Sequence, residues 1–225
     1  MSIWSRLAEA FAALRSGAPL SEVFEKATTA PEHRVAFTIA VIALGAKMAK
    51  ADGTVTRDEI AAFRQIFSIP PEAEAEAARL YNLARTEVTG YDVYARRIAR
   101  MFRERPEVLG DLLEGLVFIA MADGEYHPGE AAFLEEVAQI FRIDSAEFRA
   151  IRARHLPGEM DPYAVLGLPP GSDDQALRGA YRKLVRDLHP DQMIARGVPE
   201  EARRLAEQRL ARINDAYDQI MAERA

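Results

Sequence analysis

Four histidines, His33, His127, His155 and His189, stand in separate segments, with no glycine-rich phosphate loop and no nucleophile beside a base. The chain has no cysteine, which removes disulfides, thiolate zinc sites and cysteine nucleophiles together. These absences argue against an enzyme. The histidine in the most suggestive setting is His189, followed by Pro190 and Asp191. Proline ends a helix and fixes the turn, so the imidazole and the carboxylate should project from a rigid loop tip. Upstream, Arg178, Arg182 and Arg186 recur at four-residue steps with Lys183 beside them, which places a basic ridge on one face of the helix leading to that tip. Alone, such a ridge is an ordinary solvated face paired with Asp174 and Asp187. Next to an exposed His-Pro-Asp it becomes part of a surface.

A second set of candidates is acidic. The segment AKMAKADGTVTRDE, ending at Glu59, is echoed by VFIAMADGEYHPGE, ending at Glu130, so Asp52 and Glu59 correspond to Asp123 and Glu130. A calcium loop of EF-hand type fails at its start: the positions that need side-chain oxygens hold Met48 and Lys50 in one copy, Ile119 and Met121 in the other. A plainer account ends a helix at each glycine and caps the next, with Thr56 and Glu59 as a capping box and His127, Pro128 and Glu130 as a weaker version. The four carboxylates ligate a hard cation only if the two hairpins meet.

The elements that must carry these residues are helical. Nearly every segment shows the helical period, and alternating β-branched runs bounded by turns are missing, so the fold class is all-α. The spacing predicts an amphipathic helix at the amino terminus, with Ile3, Trp4, Leu7, Phe11 and Leu14 on one side. Further helices are predicted over about 20–29, 33–51, 56–67, 71–86, 90–103, 107–122, 128–141 and 144–154. The longest apolar stretch, 35–46, is short of the roughly 20 residues that cross a bilayer and reads as a buried helix.

Proline and glycine cluster between two periodic regions at 155–160, the best linker in the chain. It divides a helical domain over 1–154 from a second over 161–225. In the second, Leu177, Tyr181, Leu184 and Leu188 form one apolar stripe, and Ala206, Leu210, Ile213, Tyr217 and Ile220 form another. Joined by a loop over 189–198, they should bury each other as an antiparallel hairpin, with a short helix over 163–166 covering one side. Ser172 with Gln175 has capping-box spacing, and Pro199 with Glu200 and Glu201 should open the last helix.

Residues 161–225 resemble a J-domain from end to end. The resemblance rests on Tyr163-Ala164-Val165-Leu166-Gly167-Leu168, Ala180-Tyr181-Arg182-Lys183-Leu184, His189-Pro190-Asp191 and Ile213-Asn214-Asp215-Ala216-Tyr217, in that order. It implies a co-chaperone that binds an Hsp70 of DnaK type and stimulates its ATPase, through His189, Pro190, Asp191, Arg178, Tyr181, Arg182, Lys183 and Arg186. The loop after the tripeptide is longer than in the shortest J-domains, and Gln192 stands where a basic residue is common. Residues 30–150 resemble the TerB-like family, an all-helical domain, through the two Ala-Asp-Gly copies and the apolar helices leading into them. That likeness implies a domain choosing client, location or stress, and acidic clusters at Asp52, Glu59, Asp123 and Glu130 as a low-ranked divalent metal site. J-proteins that carry a TerB-like domain also show a long loop followed by a glutamate-rich helix start.

The expected partners are therefore an Hsp70 and an unidentified client. Net charge -6 offers no global attraction to nucleic acid or anionic membrane. No secretory signal or membrane-spanning helix of the kind some relatives carry is read in the sequence, which points to the cytoplasm, with at most peripheral attachment to the inner face of a membrane. No cofactor is required. The alternative is a metal-responsive stress or envelope sensor in which the first domain binds a divalent cation.

Overall fold

The computed structural model describes residues 30–52, 69, 74–86, 90–122, 124, 126–155 and 161–224. The helices expected over 1–15, 20–29 and 56–67, and the Thr56–Glu59 capping box, lie outside the described residues. Among those described, every regular element is helical and none is a strand.

The first domain is built around α1 (Ala30–Asp52), whose residues from Val35 to Met48 are all buried. A helix that is apolar on every side has to be surrounded. Its neighbours are α2 (Glu74–Thr86), α3 (Tyr91–Met101), α4 (Pro106–Ala120) and α5 (Pro128–Phe141). The polar exceptions on α1 are satisfied locally: Thr38 donates to the Arg34 carbonyl at 3.1 Å, and Lys47 lies over the Tyr94 ring, 5.4 Å from its centre. Phe37, Phe102 and Phe133 fill the space between helices.

Helix ends follow local chemistry. Gly124 takes φ +84 before α5, Pro128 opens that helix, and the His127 amide donates to the Glu130 carboxylate at 3.3 Å, as the capping reading expects. Asp144 caps α6 (Ser145–Ala153), accepting from the amides of Ala146 and Glu147 at 2.8 Å each.

In the carboxy-terminal region Asp161 caps the short α7 (Pro162–Val165), accepting from the Tyr163 amide at 3.0 Å. The next helix, α8 (Asp174–Asp187), is capped by Asp173, which accepts from the Ala176 amide at 2.7 Å. The expected Ser172–Gln175 box is thus replaced: the Ser172 hydroxyl turns back to donate to the Pro169 carbonyl at 2.7 Å. The expected 189–198 loop contains a helix, α9 (Pro190–Ala195), and Glu200–Ala202 forms a single 3-10 turn before α10 (Arg203–Glu223).

Val165, Leu166, Leu177, Ile213, Ala216 and Ile220 form a separate small core where α7, α8 and α10 meet. Tyr181 stacks on Tyr217 with ring centres 4.2 Å apart. The amino-terminal part of α10 departs from the expected stripe. Leu205 and Ala206, together with Met193, Val198 and Ala202, pack into the core of the first domain, and not into the hairpin.

Candidate partner-docking site

On α8 the side chains of Arg178 and Arg186 are 54% and 72% exposed, and Arg182 and Lys183 are exposed as well. Arg178 pairs with Asp174 at 3.5 Å and Arg186 with Asp187 at 3.0 Å. Exposed pairs of this kind contribute on the order of 0–1 kcal/mol, so a partner displaces them easily. Lys183 lies close enough to Glu147 of α6 for its charge to act on that carboxylate. Tyr181 is half-buried and turned toward α10, where its hydroxyl hydrogen-bonds Asn214 at 3.0 Å. Its ring belongs to the hairpin, stacked on Tyr217.

The ridge ends at the tripeptide. His189 caps α9, its Nδ1 accepting from the Asp191 amide at 3.2 Å. Pro190 occupies the first helical position and is buried, so the projecting groups are the imidazole, 50% exposed, and the Asp191 carboxylate, 74% exposed. That carboxylate sits 3.7 Å from His189 Nδ1 and 3.9 Å from Arg203 Nη2 on α10. The tip is therefore the start of a short helix and not a free loop. Met193, 1% exposed, anchors it one turn later.

Behind the tip lies a buried ionic cluster that joins the two regions. Arg209 of α10 is fully buried; its Nη1 meets Asp111 Oδ1 at 2.7 Å and its Nη2 donates to the Asp111 carbonyl at 3.0 Å. Its Nε lies 3.1 Å from Glu114 Oε1, an ion-pair distance at an angle that makes no hydrogen bond. Arg154 holds Glu114 in a bidentate pair at 2.9 and 2.8 Å, and His155 Nε2 is 3.0 Å from Glu114 Oε1. Arg196 reaches Asp111 at 3.3 Å, while its carbonyl accepts from Arg105 at 3.0 Å.

Burial alone would raise the Glu114 carboxyl, but Arg154 and Arg209 hold it well below the usual carboxylate range. Burial pushes the Asp111 carboxyl up, against the pull of Arg209 and Arg196. Burial lowers His155 despite its contact with Glu114, which favours the neutral ring. His155, expected to open the linker, is thus a packed member of this cluster, with its ring 5.8 Å from that of Phe118.

None of Asp111, Glu114, Arg154 or Arg209 stood out in the sequence. The signal was present: Asp111 and Glu114 interrupt the apolar run of α4, and Arg209 stands three residues after Ala206 and four before Ile213, on an apolar stripe. A charge on a buried face requires a partner. Of the acidic candidates, Glu59 and Asp123 lie outside the described residues, as does the Asp52 side chain, and Glu130 is 1% exposed and serves its helix cap. Among the described residues no three potential metal ligands cluster.

The family described as tellurite resistance protein TerB matches residues 38–153, and the DnaJ domain matches residues 161–225. Similar curated relatives are each named co-chaperone protein DjlA. The protein of Aliivibrio fischeri is 26% identical over 227 residues, covering 86% of this chain and 80% of the relative. That of Coxiella burnetii is 29% identical over 199 residues, covering 79% and 74%, and that of Photobacterium profundum is 27% identical over 220, covering 86% and 79%. No solved structure matches the chain.

Proposed function

The chain belongs to the TerB family and ends in a DnaJ domain, and from that premise we propose that it binds a DnaK-type Hsp70 and stimulates ATP hydrolysis by that partner. The observation that carries the reading is the exposed imidazole and carboxylate of His189 and Asp191, held by buried Pro190 at the end of the exposed Arg178, Arg182, Lys183 and Arg186 face. Cationic side chains steer an acidic partner over a distance of about a Debye length, and the fixed carboxylate then offers a directional acceptor. The J-domain breaks no bond itself; it favours the state of Hsp70 that hydrolyses ATP. Relatives that this chain covers to 80% and 74% of their length are named co-chaperone protein DjlA, which supports the same role here.

The TerB domain, in this reading, selects the client, the place or the stress. No described helix is long and apolar enough to cross a membrane. The decisive experiment is Asp191→Asn in a single-turnover ATPase assay with a purified DnaK-type Hsp70. The residue is exposed, so the fold should persist while stimulation disappears; equal rates for variant and wild type would refute the reading.

A further inference from the structure

The segment between the His-Pro-Asp tip and α10 runs from Gln192 to Ala202 and carries most of the helix α9. The structure gives it a job beyond connecting the two. Met193 and Val198 are each 1% exposed, as are Ala202, Leu205 and Ala206, and all five belong to the apolar core of the TerB domain. Arg196 and Arg209 carry their guanidinium groups to Asp111, and Arg209 also approaches Glu114. On the other side α7 packs on α6, where a Cβ placed on Gly167 would stand 3.8 Å from Ala150 Cβ. The residues after the tip are therefore gripped by the first domain, while His189 and Asp191 stay exposed.

We propose that the TerB domain is the positioning element of the J-domain: Asp111 and Glu114 act as the receptor for the segment after the tip, and the docked two-domain body is the form that engages Hsp70. The inference rests on the function proposed above. Its physical basis is preorganisation. Pro190 and Met193 share one short helix, and a helix of six residues is marginal by itself, so its geometry is set by whatever buries Met193. Both carboxylates on α4 must be met by guanidinium groups once they are buried, and Arg209 is the one that comes from the J-domain with no exposed surface of its own. Undocking would expose this cluster to water and leave the tip held by α8 and α10 without the first domain. The docked arrangement does not cover the basic face, which argues that it is the working form and not a closed one.

Two full-length variants test this. Asp111→Asn combined with Glu114→Gln removes the receptor charges without touching the J-domain. Backbone amides of residues 193–202 should then lose hydrogen-exchange protection, while those of α8 keep theirs. The Hsp70 concentration giving half-maximal stimulation should rise roughly tenfold, as when one molecule in ten holds the competent arrangement, with the plateau rate retained. Unchanged protection and unchanged half-saturation would overturn the proposal.

The second variant, Ala150→Cys with Gly167→Cys, uses the absence of native cysteine to lock the domains together; Gly167 has φ +70, where a side chain is strained, so the reduced variant is first required to stimulate as wild type does. The oxidised protein should form the intramolecular disulfide and stimulate ATP hydrolysis at least as well as its reduced form. Loss of stimulation on oxidation that reduction restores would overturn the proposal. Wild type that stimulates no hydrolysis at all would instead sink the underlying function, whatever the exchange data show.

Discussion

Arg209 and Asp111, 98 positions apart, meet at 2.7 Å with side chains 0% and 2% exposed, so the last helix of the J-domain is ion-paired inside the TerB domain. A pair this deep is not a simple source of stability, because removing both ions from water costs nearly what their attraction returns. Breaking it is another matter. Arg209→Ala leaves Asp111 without its main counter-charge, and the expected loss is about 3–5 kcal/mol by urea denaturation. A loss below about 1 kcal/mol would mean that solvent reaches the site.

Charge removal on α8 should act in the opposite way. Arg182→Ala together with Arg186→Ala should leave stability within about 0.5 kcal/mol, since both side chains are exposed. Affinity for Hsp70 should fall, chiefly through the association rate, and the deficit should shrink as salt shortens the Debye length from about 10 Å at 0.1 M to about 3 Å at 1 M. Association kinetics across a salt series provide the check.

The buried cluster should also make stability depend on acidity. His155 is lowered by burial from its ordinary 6.5, so as pH falls the unfolded chain takes up that proton first, and stability drops from pH 6.5 toward the lowered folded value. Glu114, held down by Arg154 and Arg209, stabilises above its ordinary 4.5 and loses this only as pH falls through its depressed folded value. Asp111 runs the other way: raised by burial, its contribution is complete below 3.8 and is lost as pH rises through its folded value. Comparing His155→Gln with wild type isolates the first effect. The wild-type urea midpoint should fall between about pH 7.5 and about pH 5.5, and the variant should show a flatter profile.

Tyr181 separates packing from recognition. Tyr181→Phe keeps the stack on Tyr217 and deletes the hydroxyl that bonds Asn214, for an expected loss of about 0.5–1.5 kcal/mol. If the hydroxyl serves only the hairpin, stimulation per folded molecule should match wild type. A fall in stimulation without a fall in stability would place the hydroxyl at the Hsp70 contact instead.

Much of this architecture was legible from spacing. The Leu177–Leu184–Leu188 stripe and the Ile213–Tyr217–Ile220 stripe define the hairpin because a 3.6-residue period names a face. Proline at 128 and 162, and the acidic cap at Asp161, mark helix starts from local hydrogen bonding alone. The cap of α8 fell to Asp173 and not Ser172 because two adjacent residues compete for the same amides, and the winner depends on where the turn before it closes.

What the amino-acid order determined unaided was therefore the all-helical fold and a His-Pro-Asp sequence following a helix whose basic side chains are exposed. Local propensity, periodicity and motif order suffice for these, since each involves neighbours along the chain. Only the tertiary structure decided that Arg209 would be an interior residue, that His155 would be packed where burial lowers its pKa, and that the segment after the tip would belong to the TerB core. A period states that a face is covered but not what covers it, and the state of a charge is set by the water it loses and the counter-charge it meets.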